Sequence, residues 1–196
     1  MRLIMISCVA AMLVACSDNS PNVILETAKG NIEIEVYPDK APSSAADFLY
    51  YVDEGLYDNQ SFYRTVRADN DPREMGMSLI QGGRSDMRSV TMLLEHEGTN
   101  ESGLSNVSAS VSIARDVPGT GSAAFFFINV GDNTFLDHGG VRNDDGQGYA
   151  VFGKVVNGMD VARAIQSGEA KGASSEQVTD GQFLTKPVTI TKAYRK

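Results

Sequence analysis

Cysteine is almost missing from this chain. Cys8 and Cys16 are the only two among 196 residues, and both lie in the first sixteen positions. Histidine is as scarce: His96 and His138 stand alone, with no cysteine near either. That excludes a structural zinc site, which needs four Cys or His ligands at short spacings. No other metal and no cofactor is expected, and both histidines are expected in exposed loops. Basic charge is short as well. Seventeen Lys and Arg face 25 Asp and Glu, for a net charge of −8. No basic stretch is dense enough to neutralise a run of phosphates, so nucleic acid is excluded as a partner. The same deficit excludes a purely electrostatic hold on anionic lipid. Internal repeats and low-complexity segments are also lacking. What remains is 42% apolar, enough for a real core, over a length that suits one domain with short extensions.

Met1-Arg2 is a short basic start, and positions 3–15 are apolar or small throughout. A charged start before a short apolar run has the form of a secretory signal, too short to span a bilayer as a resident helix. Two readings of its end are open. One is an ordinary signal cleaved near Ala15 that leaves a spare cysteine. The other starts from Leu13-Val14-Ala15-Cys16, which resembles the bacterial lipobox and implies that Cys16 becomes the first mature residue and carries lipid. An exported chain otherwise free of cysteine has little use for a lone thiol, which favours the lipid reading. Several acyl chains on one residue anchor firmly where one alone is marginal. Residues 1–15 are then a lipoprotein signal peptide, 16–21 the lipidated Cys and a polar tether, and 22–196 the folded domain. Ser17 after the Cys, rather than Asp, resembles the signal that sends lipoproteins to the outer membrane. The expectation is an exported protein, lipid-anchored in the bacterial envelope at the periplasmic face of the outer membrane.

The folded part reads mostly as strands. Residues 22–27 and 32–37 form a hairpin about a turn at 28–31, with Ile32, Ile34 and Val36 inward and Glu33 and Glu35 outward. Pro38 and Pro42 stop the sheet. Ser43 or Ser44 is expected to cap a helix that runs to about Glu54, with Gly55 past its end. Further strands are expected at 61–66, 77–83, 107–114, 149–156 and 188–194, and a second short helix at 159–165. Residues 84–106 and 132–148 read as polar and irregular. The remaining strand is Gly121-Ser122-Ala123-Ala124-Phe125-Phe126-Phe127-Ile128-Asn129-Val130, an uncharged run between turn signals. Its phenylalanines read either as plain core or, for one of them, as the wall of an apolar pocket. About eight short strands and two helices make a mainly β fold, a closed barrel or a sandwich.

A resemblance narrows this. Six pieces occur in order: Gly55-Leu56-Tyr57-Asp58 leading to Phe62-Tyr63-Arg64, Ile80-Gln81-Gly82-Gly83, Ser112-Ile113-Ala114-Arg115, Phe126-Phe127-Ile128-Asn129, Phe135-Leu136-Asp137, and Val151-Phe152-Gly153-Lys154-Val155. From residue 23 to 194 the chain resembles the cyclophilin-type peptidyl-prolyl cis-trans isomerases. The resemblance implies a closed eight-stranded antiparallel barrel capped by two short helices, with the active site on the barrel's outer face. It implies Arg64 and Gln81 as catalytic residues. It implies Phe62, Leu79, Ala114, Arg115, Phe127, Phe135, Leu136 and Tyr149 as substrate-binding ones. Among these, Leu79, Phe127 and Leu136 line a proline pocket, and Ala114-Arg115 lends main-chain groups to an extended peptide. The partners it implies are proline-containing polypeptides, met by a monomer.

Four departures from the family pattern stand out. Phe125 occupies a place where many members have Gln. Ser78 stands where an aromatic helps form the pocket floor, with Met77 able to fill part of it. Arg64 and Gln81 are further apart than usual, so 67–76 reads as an insertion beside the site. Phe135 stands where Trp is frequent, which predicts weak binding of cyclosporin-like ligands. Ser78, Phe125 and the 67–76 insertion support an alternative on the same scaffold, a low-turnover binding module or chaperone for proline segments.

Overall fold

The computed structural model describes residues 20–84, 90, 93–172 and 179–196. The signal, lipobox and Cys16 expectations therefore fall on residues outside the described ones. Nine strands and three helices follow in order: β1 Asn22–Thr27, β2 Gly30–Val36, α1 Pro42–Asp53, β3 Gln60–Val66, β4 Leu79–Gly83, α2 Thr99–Ser102, β5 Ser110–Ile113, β6 Phe125–Asn129, β7 Val151–Asn157, α3 Met159–Gln166, β8 Ala170–Gly172 and β9 Phe183–Arg195. Eight strands pair antiparallel in the order β1-β2-β7-β5-β6-β4-β3-β9, and β9 pairs back onto β1. That closure removes both sheet edges. β8 hangs on β9 as a short ninth strand.

The barrel was legible because its inward residues alternate. Ile32, Ile34 and Val36 are fully buried, as are Val23 and Leu25 across the hairpin. α1 closes one side of the barrel with Phe48, whose ring packs edge-on to Phe126 at 5.6 Å and tilted against Phe152 at 4.9 Å. α3 adds Ala162 and Ile165 to the same interior. Two elements escape a reading by pattern. α2 is a single turn, entered after Gly98 and ended by Gly103 in the left-handed conformation (φ 69), too short to show a helical period. β8 has three residues and no buried side chain.

The expected cap of α1 is corrected. Neither serine caps through its side chain. Ala41 is the N-cap residue and Pro42 opens the helix. The free N–H groups of Ser43 and Ser44 donate instead to the Glu97 carboxylate at 2.9 and 2.8 Å, and Ser44 Oγ donates to it at 2.6 Å. A carboxylate satisfies these orphan donors and sits favourably against the helix dipole. It comes from far along the chain, so no local motif announces it.

Candidate active site

β3 carries the first site residue through a break in its own alternation. In a regular strand Phe62 and Arg64 share a face. Here Phe62 stands opposite Gly82 and Arg64 opposite Gln81, so Tyr63 is an extra residue in a β-bulge. The bulge sends Phe62 inward and leaves Arg64 on the outer face. Phe62 is fully buried in the barrel interior, its ring 5.8 Å from that of Phe126. A Cβ on Gly82 would meet that ring at 2.6 Å, so glycine there makes room for it. The expectation that Phe62 binds substrate is therefore corrected: it belongs to the core.

On the outer face β3, β4 and β6 lie side by side, with Gln81 paired to both Arg64 and Phe127. A second apolar cluster sits there, separate from the interior: Val66, Met77, Leu79, Phe127 and Leu136. Ala114, Phe135 and Tyr149 pack against its rim. One cleft opens over it, lined by Arg64, Gln81, Leu79, Phe127, Ala114, Arg115, Leu136 and Tyr149, and also by Met77 and Arg142. Eight of the ten residues singled out from the sequence thus meet in one place. Phe135 stays at the edge of the cluster and does not line the cleft.

The three phenylalanines of β6 separate. Phe126 is interior and Phe127 is on the cleft side. Phe125 pairs with Gly83 in the same unbroken register, is half-buried at the start of β6, and packs against the edge of the interior cluster. Met77 sits in the cluster, whereas Ser78 turns away and its Oγ accepts from Gln166 Nε2 of α3 at 2.9 Å.

Arg64 is gripped by two glutamines. Its Nη1 donates to Gln81 Oε1 at 2.6 Å. Its Nε and Nη2 both donate to Gln182 Oε1, at 2.9 and 2.6 Å. Each glutamine is oriented in turn. Gln81 Nε2 donates to the Tyr63 hydroxyl (3.0 Å), and Gln182 Nε2 to the backbone carbonyl of Asn70 (2.9 Å). Turning the amide nitrogens to these partners leaves both carbonyls facing the guanidinium. Tyr63 stacks on Phe183, and burial pushes its hydroxyl up to about 12, so it stays protonated. Gln182, fully buried, was missed from the sequence, because a lone Gln before a C-terminal strand carries no signal. The segment read as an insertion is what holds it, and Asn70 Nδ2 adds bonds to the carbonyls of Thr65 and Gly181 at 3.2 Å each.

The opposite wall is built from a polar network. Asn106, Asn129 and Asn133 are fully buried. Asn129 Nδ2 donates to Ser110 Oγ (2.8 Å), and Asn133 Nδ2 to Asn129 Oδ1 (2.6 Å). Asn106 Nδ2 donates to Asp137 Oδ1 (2.8 Å) and to the carbonyl of Tyr149 (3.2 Å). These bonds fix the turn at Thr134–Leu136 and hence Leu136 against Phe127. Arg115 braces the same wall. It forms a two-point pair with Asp145 at 2.8 and 2.9 Å and lies over the Tyr149 ring at 5.3 Å. Tyr149 meets Phe127 edge-on at 5.4 Å. The Arg115 hydrogen bonds hold the Asp145 carboxyl down at about 2. Of the two histidines, His138 is exposed, while His96 is half-buried against the carbonyl of Gln147 at 2.9 Å.

A closed antiparallel barrel with its cleft on the outer face is the cyclophilin fold. A cyclophilin-type isomerase of Cryptosporidium parvum superposes with a TM-score of 0.68 at 16% identity, covering 90% of this chain and 98% of that one. The family model described as "Cyclophilin type peptidyl-prolyl cis-trans isomerase/CLD" matches residues 22–195. Peptidyl-prolyl cis-trans isomerase A of Dickeya dadantii is 36% identical over 176 residues, 89% of this chain and 84% of that one. Peptidyl-prolyl cis-trans isomerase B of Escherichia coli is 34% identical over 176 residues, 87% of this chain and 99% of that one. The chain belongs to the cyclophilin-type peptidyl-prolyl cis-trans isomerases, enzymes that speed rotation about the peptide bond before proline.

Proposed function

We propose that Arg64 stabilises the twisted amide while Leu79, Phe127 and Leu136 hold the proline ring. Rotation of a peptide bond is opposed by about 18–20 kcal/mol of resonance, and X–Pro exchange unaided takes tens to hundreds of seconds. At the twisted transition state resonance is lost and the proline nitrogen regains a lone pair. A donor aimed at that nitrogen favours the transition state over the planar ground state, as catalysis requires. A guanidinium suits this task because it stays charged and no proton has to move.

The observation that carries the reading is the Arg64 guanidinium, locked between Gln81 and Gln182 at 2.6–2.9 Å beside the apolar cluster. Such a group meets the transition state without reorganising. Shortening about 100 s to milliseconds is about 10⁵-fold, or ~7 kcal/mol. One charge-assisted hydrogen bond contributes only about 1.5–3 kcal/mol. The apolar pocket supplies the rest, by fixing the ring while the preceding carbonyl swings and by excluding water from an amide that is less dipolar when twisted. Gln81 orients Arg64 and has a second amide N–H for a substrate carbonyl. Ala114 and Arg115 offer main-chain groups to an extended peptide, since the Arg115 side chain is committed to Asp145.

The substrates are proline-containing segments of envelope proteins, reached by a monomer tethered through lipid on Cys16. Two measurements test this. In an X–Pro peptide assay with the full chain, Arg64→Ala is expected to lower kcat/KM about 100-fold with the fold intact; equal rates for the two proteins rule out the Arg64 mechanism. In cells fed labelled palmitate the chain is expected to take up label and Cys16→Ala to lose it. An unlabelled parent chain rules out the anchor.

A further inference from the structure

Arg142 is the charged cleft residue that the isomerisation chemistry leaves unused. Its backbone carbonyl accepts from Arg73 Nη1 at 2.5 Å, a bond that joins the 67–76 segment to the long loop before β7. Its side chain lines the cleft with Met77 and Leu136. There Arg142 Nη1 is buried and has no hydrogen-bond partner among the described residues. In the next residue along the chain, Asn143 Nδ2 is also buried and without a partner among the described residues, while Asn143 Oδ1 accepts from the Tyr149 hydroxyl at 3.2 Å. A buried donor without an acceptor is rare and costly, and consecutive residues carry one each here.

The loop has four carboxylates and does not spend one on Arg142. Asp132 accepts from the Ser108 N–H at 2.9 Å. Asp145 is taken by Arg115 at both oxygens. Asp137 is taken by Ser105 and Asn106. Asp144 is exposed. Arg64, Arg115 and Arg142 all line the cleft and, among the described residues, no carboxylate does, although the chain as a whole carries −8. A planar guanidinium matches a carboxylate better than a lone carbonyl, in both charge and two-point geometry.

We propose that Arg142 is an anion subsite of the cleft that takes a carboxylate carried by the proline-containing substrate. The enzyme then prefers X–Pro segments with an acidic group close by. The inference rests on the reading that this cleft holds the substrate. The carboxylate has two sources, an Asp or Glu side chain near the proline or the free end of a chain that stops just after it.

The test is a panel of end-blocked X–Pro peptides with Glu or Gln at each of two positions on either side, plus all-Gln peptides with a free or amidated C-terminus. Each is assayed with the full chain and with Arg142→Gln. At one position Glu is expected to exceed Gln about fivefold in kcat/KM, as one half-buried charge-assisted bond implies. The ratio shrinks as salt is raised and falls to about one in Arg142→Gln, whatever the absolute rate. A preference confined to free-ended peptides assigns the subsite to a chain terminus. Equal rates for every Glu and Gln pair and for both ends overturn the proposal, as does a preference that survives in Arg142→Gln. Titration of the Glu and Gln peptides onto Arg64→Ala repeats the comparison by binding alone. A Glu preference there without turnover in the parent chain sinks the isomerase mechanism and keeps the subsite, whereas turnover without preference does the reverse.

Discussion

The two faces of strands β3, β4 and β6 are built on different principles. The inner face meets Phe62, Ile80, Phe126 and Ile128, all fully buried, and is held by shape and apolar area. Phe126 alone touches the rings of Phe48, Tyr57 and Phe62. The outer face has a five-residue apolar cluster framed by side chains that hydrogen-bond across long stretches of sequence, such as Arg64 to Gln182 and Asn106 to Asp137. The inner face is redundant, since many contacts share the burden. The outer face depends on single bonds that orient single groups. One face is therefore expected to govern stability and the other rate, and substitutions on the same strand to separate them.

The sharpest contrast is between adjacent phenylalanines. Phe126→Ala leaves a cavity in the barrel and is expected to cost about 3–5 kcal/mol, read as a lower denaturation midpoint. Phe127→Ala is expected to cost less stability and to raise KM about tenfold, the worth of a lost apolar contact of this size. If the two variants behave alike in both assays, the faces are not functionally distinct. Next is Gln182→Ala, which releases two donors of Arg64 but does not itself line the cleft. It is expected to lower kcat about tenfold with KM little changed, since bonds to a charged group are worth about 1.5–3 kcal/mol. A KM effect in place of the kcat effect rules out a positioning role. Glu97→Ala removes the carboxylate at the start of α1 and is expected to cost ~1 kcal/mol, as helix caps do, with kcat/KM unchanged.

The smallest effect concerns pH. The Asp145 carboxyl is held at about 2 by Arg115, below the ordinary 3.8. A group with a depressed folded-state pKa adds stability that is present above the unfolded value and lost as pH falls toward the folded one. Acid titration between about pH 4 and 2 is expected to weaken this wall of the cleft. Asp145→Asn should flatten that limb of the stability curve; an unaltered slope in the variant removes the pair from the account.

Much of this was legible beforehand. Alternation placed Ile32, Ile34 and Val36 inward, and the ordered motif pieces brought eight residues to one cleft. Phe62 was misplaced because a bulge is a property of pairing: one extra residue on β3 against β4 reverses the face, and no single strand announces it. Gln182 and Arg142 were missed because isolated polar residues in loops look like any solvated ones until the fold sets a guanidinium beside the first and a cleft beside the second.

The sequence by itself determined the class of fold and singled out Arg64 as the candidate reactive group. Both rest on local order: apolar residues at period two, turn residues between them, and Arg64 within a recognisable run. The tertiary structure alone decided what holds that group. Arg64 is gripped from residues 17 and 118 positions away, and α1 is capped from 54 positions away. Chain distance carries no information about such contacts. They exist because a closed barrel brings remote segments within hydrogen-bond reach, where an unpaired buried donor would be too costly to keep.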